Sequence, residues 1–70
     1  MSMAWEVTTD DVWNALERMG ETRTEEEVDE IHERLDHDAI EKAALSGDDM
    51  LEQTEYATHE IILQIENFTR

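Results

Sequence analysis

His32, Asp36, His37 and Asp38 place two imidazoles and two carboxylates within a seven-residue stretch. Asp29 adds a third carboxylate at the i, i+3 spacing from His32 that carboxylate-and-histidine metal sites use. Those centres draw inward-facing ligands from several helices, and here one segment offers them all. His32 also flanks the apolar stripe of its helix instead of centring it. The pattern therefore predicts no specific metal site, only loose and exchangeable cation binding to an acidic surface.

Covalent and acid–base chemistry find still less. Ser2 and Ser46 are the only serines, there is no cysteine, and two glycines do not make a phosphate-cradling loop. Carboxylates abound, but nothing marks a sheltered pair whose environments would separate their pKa values. Seventy residues also struggle to enclose a pocket of the several hundred Å3 that small-molecule sites usually need. No catalytic residue, cofactor or metal ligand is expected, and the chain reads as a non-enzyme.

The elements that would position any site carry an unusual charge. Twenty Asp and Glu face five Lys and Arg, a formal net charge of -15. Self-repulsion of that size destabilises a compact chain while keeping it dissolved. Molar salt removes the repulsion, because the Debye length falls to about 3 Å at 1 M. The composition fits the cytoplasm of a salt-accumulating organism. Low hydropathy with high charge also marks disorder, but the apolar residues here recur at helical spacing between start and stop signals. A cytoplasmic chain is further expected because the longest apolar runs, such as Ile61-Ile62-Leu63, are far too short to span a bilayer. The N-terminus lacks the basic-then-apolar pattern of a signal peptide.

There is no proline, and Gly20 and Gly47 each follow an apolar-periodic segment, where a glycine just past a helix end belongs. They divide one helical domain, residues 1–70, with residues 1–7 as an arm. Thr8 caps the first helix, with Asp11 three residues on and Val7 and Val12 as a hydrophobic staple. Val12, Leu16 and Met19 form its stripe, with Ala15 and Trp13 at the edges, and Trp5 and Val7 fold back onto it. Thr24 to Glu27 is a capping box by spacing, opening a second helix with Val28, Ile31 and Leu35 inward. Glu30 and Arg34 are placed to pair on its outer face. Asp36 caps a short third helix with Ile40, Ala43 and Ala44 inward and an Asp38/Lys42 pair outside.

The fourth helix, from about Asp48 to Phe68, is the longest. Leu51, Thr54, Thr58, Ile61, Ile65 and Phe68 repeat at alternating spacings of three and four, the seam of a packed helix. Met50, Ala57 and Ile62 widen it. No segment alternates with period two over a strand's length. The fold expected is all-α, a small three- to four-helix bundle with a long C-terminal helix and a helix-turn-helix-like layout in its first three helices.

That layout invites a DNA-binding reading with the third helix as reader. Phosphate contacts from Lys and Arg supply most DNA affinity, and Lys42 stands alone among acids there, which argues against nucleic acid. The more productive feature is a second apolar face on the last helix. At about 100° per residue, Tyr56 and Leu63, with His59 between them, point opposite the seam. A helix with two apolar faces has to cover both. Trp5 and Trp13 are further anchors, since tryptophan and tyrosine are favoured at interfaces. The expected role is a protein–protein interaction module that forms a homodimer, or takes a protein partner, through Tyr56, His59, Leu63, Trp5 and Trp13. A helix-turn-helix-like regulator or accessory, and an acidic nucleic-acid mimic binding a basic protein, are the alternatives.

Overall fold

A computed structural model describes residues 6–68. Four helices follow in order: α1 (Thr9–Met19), α2 (Glu25–Arg34), α3 (His37–Leu45) and α4 (Met50–Phe68). Among the described residues there is no strand. The protein is a small all-α bundle, as the spacing of its apolar residues implies.

Each helix starts where a side chain can replace a missing backbone partner. The Thr8 N–H donates to the Asp11 carboxylate at 2.8 Å, and Val7 and Val12 close the staple by being buried together. The capping box at α2 is reciprocal. The Thr24 N–H donates to Glu27 Oε1 at 3.0 Å, and the Glu27 N–H donates to Thr24 Oγ1 at 3.2 Å. Asp36 Oδ1 accepts from the Ala39 N–H at 3.2 Å to open α3. α4 starts at Met50, two residues later than the sequence suggests, because Asp49 Oδ1 accepts from the Glu52 N–H at 2.9 Å and acts as its cap.

The two glycines do different work. Gly20 has φ +74°, the left-handed conformation that ends α1, with the Glu21 N–H returning to the Leu16 carbonyl at 3.0 Å. Gly47 is not left-handed, since Gly20 is the sole positive-φ glycine among the described residues. Its constraint is space. A Cβ there would stand 2.7 Å from the Gln53 backbone nitrogen and 2.9 Å from the Glu52 carbonyl carbon. The turn between α3 and α4 is closed so tightly that a side chain would strike the following helix.

α4 is the spine. α3 runs antiparallel along it, tied at its start by a Gln64 amide that accepts from the Asp36 N–H at 2.7 Å and donates to the Asp36 carbonyl at 3.3 Å. α1 packs on α4 and on α2, and the end of α2 reaches the end of α4, where Ile31 and Arg34 share a groove with Ile65 and Phe68. Val7, Val12, Ala15, Leu16, Val28, Leu35, Ile40, Ala44, Ala57, Ile61 and Ile65 make one buried cluster, with Met19, Ile31, Ile62 and Phe68 against its edges. Thr58 is also buried, and its hydroxyl donates to the Thr54 carbonyl at 2.8 Å.

The expected seam on α4 holds from Ala57 to Phe68 and fails at its start. Leu51 is 74% exposed and Met50 73%. Neighbouring helices engage α4 further along: Arg18 pairs with Glu55, and Thr54 lines a groove beside Asn14, Glu17 and Arg18. Met50 and Leu51 have the right spacing but lie ahead of the layer that would cover them. The helix-face pairs Glu30/Arg34 and Asp38/Lys42 form no ion pair among the described residues. An exposed pair of long side chains gains little Coulomb energy and loses rotamer freedom. Arg34 lies instead over the Phe68 ring, 4.8 Å from its centroid.

Candidate interaction surface

The histidine and aspartate cluster is built into the fold. His32 Nε2 lies 3.2 Å from the Val7 carbonyl oxygen, so α2 holds the chain leading into α1. His37 Nε2 lies 2.7 Å from the His32 carbonyl oxygen, bridging the α2–α3 corner, and the two rings stand 4.8 Å apart, tilted by 60°. Asp36 is engaged as the α3 cap. With both Nε2 atoms on backbone oxygens, these side chains lock the junction of three segments. Among the described residues no group of three or more His, Asp and Glu is placed to hold a metal ion.

The proposed interface residues fall into separate places. Tyr56, His59 and Leu63 are exposed on the outer face of α4, away from the buried Ala57, Thr58, Ile61 and Ile65. Tyr56 and Leu63 are each a little over two-fifths exposed. Trp13 is not part of that face. It lines a groove with Thr9 of α1 and Glu25, Val28 and Asp29 of α2, more than one-third exposed. Trp5 lies outside the described residues.

Electrostatics separate the outer face of α4 from the rest of the acidic surface. Glu55, beside Tyr56, is forked by Arg18 through Nη1–Oε2 at 3.0 Å and Nη2–Oε1 at 2.6 Å. The hydrogen bonds first, and the opposite charge second, hold the Glu55 carboxyl below the usual carboxylate range and raise Arg18 above its ordinary value. Glu60 accepts from the Gln64 amide at 3.2 Å. The stripe from Tyr56 to Leu63 is thus edged by carboxylates that already have hydrogen-bond donors.

A second apolar surface was not legible from spacing. Leu45, Met50 and Leu51 stand 55%, 73% and 74% exposed around the α3–α4 turn. A sequence reading assigns Met50 and Leu51 to the core because they continue the α4 pattern. No local signal in the sequence marks it, since the helical spacing runs on through Met50 and Leu51.

The groove under Phe68, between Arg23, Ile31, Arg34 and Ile65, has a volume of about 170 Å3, and an open one between Asn14, Glu17, Arg18, Thr54 and Thr58 about 310 Å3. Among the described residues no helix is long and apolar enough to cross a membrane. In comparisons with known proteins, the chain matches no family model, no curated protein and no solved structure.

Proposed function

We propose that this protein is a non-enzymatic protein–protein interaction module that self-associates through the outer face of α4 in a salt-rich cytoplasm. One observation carries the reading. Tyr56, His59 and Leu63 form an exposed row opposite the core, on a surface otherwise crowded with carboxylates. Apolar area has to leave water to contribute, at roughly 25 cal/mol per Å2. A two-fold dimer would lay this row on its own copy, since an isologous interface uses the same patch twice. The arrangement also limits the charge cost, because Glu55 is paired with Arg18 and Glu60 is bonded to Gln64. Molar salt screens what remains.

The test is the mass in solution against concentration, in molar KCl, by sedimentation equilibrium. The native chain is expected to approach twice its 8.2 kDa mass as concentration rises. Tyr56→Glu and Leu63→Glu are expected to remain monomeric while keeping native helicity, because both positions are outside the core. A native chain that stays monomeric to millimolar concentration would end this reading.

A further inference from the structure

We infer that the α3–α4 corner is a separate docking site for a basic amphipathic helix of another protein. Leu45, Met50 and Leu51 are the three most exposed large apolar side chains among the described residues. All three sit within residues 45–51, on either side of a turn too tight to accept a Cβ at Gly47. A flexible methionine between two leucines is a combination that adapts to the apolar face of a partner helix. An amphipathic helix presents such a partner face, with its charged residues along the edges of an apolar stripe.

Charge decides the occupant. Residues 46–52 hold Asp48, Asp49 and Glu52 and no cation. Glu52 Oε1 accepts from the Asp48 N–H at 2.8 Å, and Asp49 Oδ1 accepts from the Glu52 N–H at 2.9 Å. These bonds fix the two carboxylates in place and leave Oε2 and Oδ2 to accept from a partner. Positive side chains flanking an apolar helix face would meet oxygens already positioned. A second copy of this chain fits the corner less well than a basic helix. Isologous pairing would bring Asp48, Asp49 and Glu52 of both copies together, with Lys42, one turn before Leu45, as the single cation of α3 to set against them, while Arg18 and Arg23 are already committed to Glu55, Glu21 and Glu27. The corner therefore differs from the Tyr56–Leu63 face, whose flanking Glu55 carries its own arginine.

The test uses isotope-labelled full chain and three synthetic peptides. One carries leucine and lysine at helical spacing, one is the same composition scrambled so that no face forms, and one has glutamate in place of lysine. The amphipathic basic peptide is expected to perturb amide resonances centred on residues 44–53 and to bind about tenfold tighter than the scrambled one. Met50→Ser and Leu51→Ser should each weaken it about tenfold or more, with helicity unchanged. Leu63→Ser should leave its affinity alone while lowering the dimer mass, which keeps the fate of this site distinct from that of self-association. Equal binding of the basic and scrambled peptides would overturn the proposal as diffuse attraction. So would perturbations mapping away from the corner, tight binding of the acidic peptide, no binding at all, or a dimer that Leu51→Ser disperses.

Discussion

Arg18 on α1 forks onto Glu55 on α4, through two hydrogen bonds of 3.0 and 2.6 Å between residues 37 apart in sequence. The other arginine pairs among the described residues are local: Arg23 with Glu21 lies within the α1–α2 loop, and Arg23 with Glu27 ties that loop to the helix it precedes. Arg18–Glu55 instead joins two helices. It lies beside Tyr56, so one contact both orients α1 on α4 and removes a charge from the edge of the proposed dimer face. The two side chains are half exposed, which keeps the pair responsive to pH and salt.

Glu55→Gln tests that pair through its pH dependence. The folded-state pKa of Glu55 is lowered by Arg18, chiefly through the hydrogen bonds. A depressed carboxyl contributes stability that is present above its unfolded value, near 4.3, and is lost as pH falls through the folded one. The native chain should therefore melt higher than Glu55→Gln at neutral pH, and the gap should close on acidification below the usual carboxylate range. Thermal melts of both chains from pH 7 downward at fixed KCl read this directly. A gap that does not narrow in acid would remove the ion pair as its cause.

Gly47→Ala and Gly20→Ala should both destabilise, for different reasons. At Gly47 the new Cβ meets the backbone of Glu52 and Gln53, which cannot give way as a flexible side-chain tip would. Overpacking of this kind costs about 1–3 kcal/mol. At Gly20 there is open space, and the penalty is the left-handed φ, about 1–2 kcal/mol. Hydrogen exchange separates the two. Gly47→Ala should raise exchange at the start of α4 first, whereas Gly20→Ala should raise it at the end of α1.

The helices were legible because capping residues and apolar spacing act locally. Thr8, Thr24 and Asp36 each announce a helix start that the structure has. Periodicity also located the two faces of α4. It reports which way a side chain points, however, and not where its neighbours stop, so Met50 and Leu51 read as core and stand in water. Gly47 was recognisable as a required glycine, but close approach and positive φ look the same in one sequence. Arg18–Glu55 was invisible because nothing local picks one partner from twenty acidic residues. Of the candidate interface residues, periodicity placed Tyr56, His59 and Leu63 on one exposed face, whereas nothing in the spacing announces that Trp13 sits against α2.

Ile61→Ala and Leu51→Ala make the boundary of the core measurable. Both are large aliphatic positions on one predicted seam, yet Ile61 is fully buried and Leu51 is not. Truncating Ile61 should cost about 2–5 kcal/mol through lost burial and a residual cavity. Truncating Leu51 should change stability by less than about 0.5 kcal/mol, as at surface sites generally. Urea unfolding of each variant in the same KCl concentration gives the difference. Equal costs would place Leu51 inside the fold.

Salt should stabilise the native chain strongly, and the reason can be isolated. At low ionic strength the net charge of -15 acts on a chain of only 70 residues, and exposed like charges repel over roughly 10 Å. Raising KCl from about 0.1 M to about 2 M shortens that range to about 3 Å or less, so helicity and Tm should rise together. Contacts as short as Arg18–Glu55 lose part of their attraction over the same range, but repulsions among twenty acidic residues outnumber them. Charge-lowering variants at exposed positions outside the caps, first turns and ion pairs, such as Asp29→Asn with Glu33→Gln, should raise Tm at low salt and have a smaller effect at high salt. A specific cation site would behave differently, saturating at low concentration and distinguishing K+ from a larger monovalent ion. A flat Tm across the KCl series would sink screening as the reason for the composition.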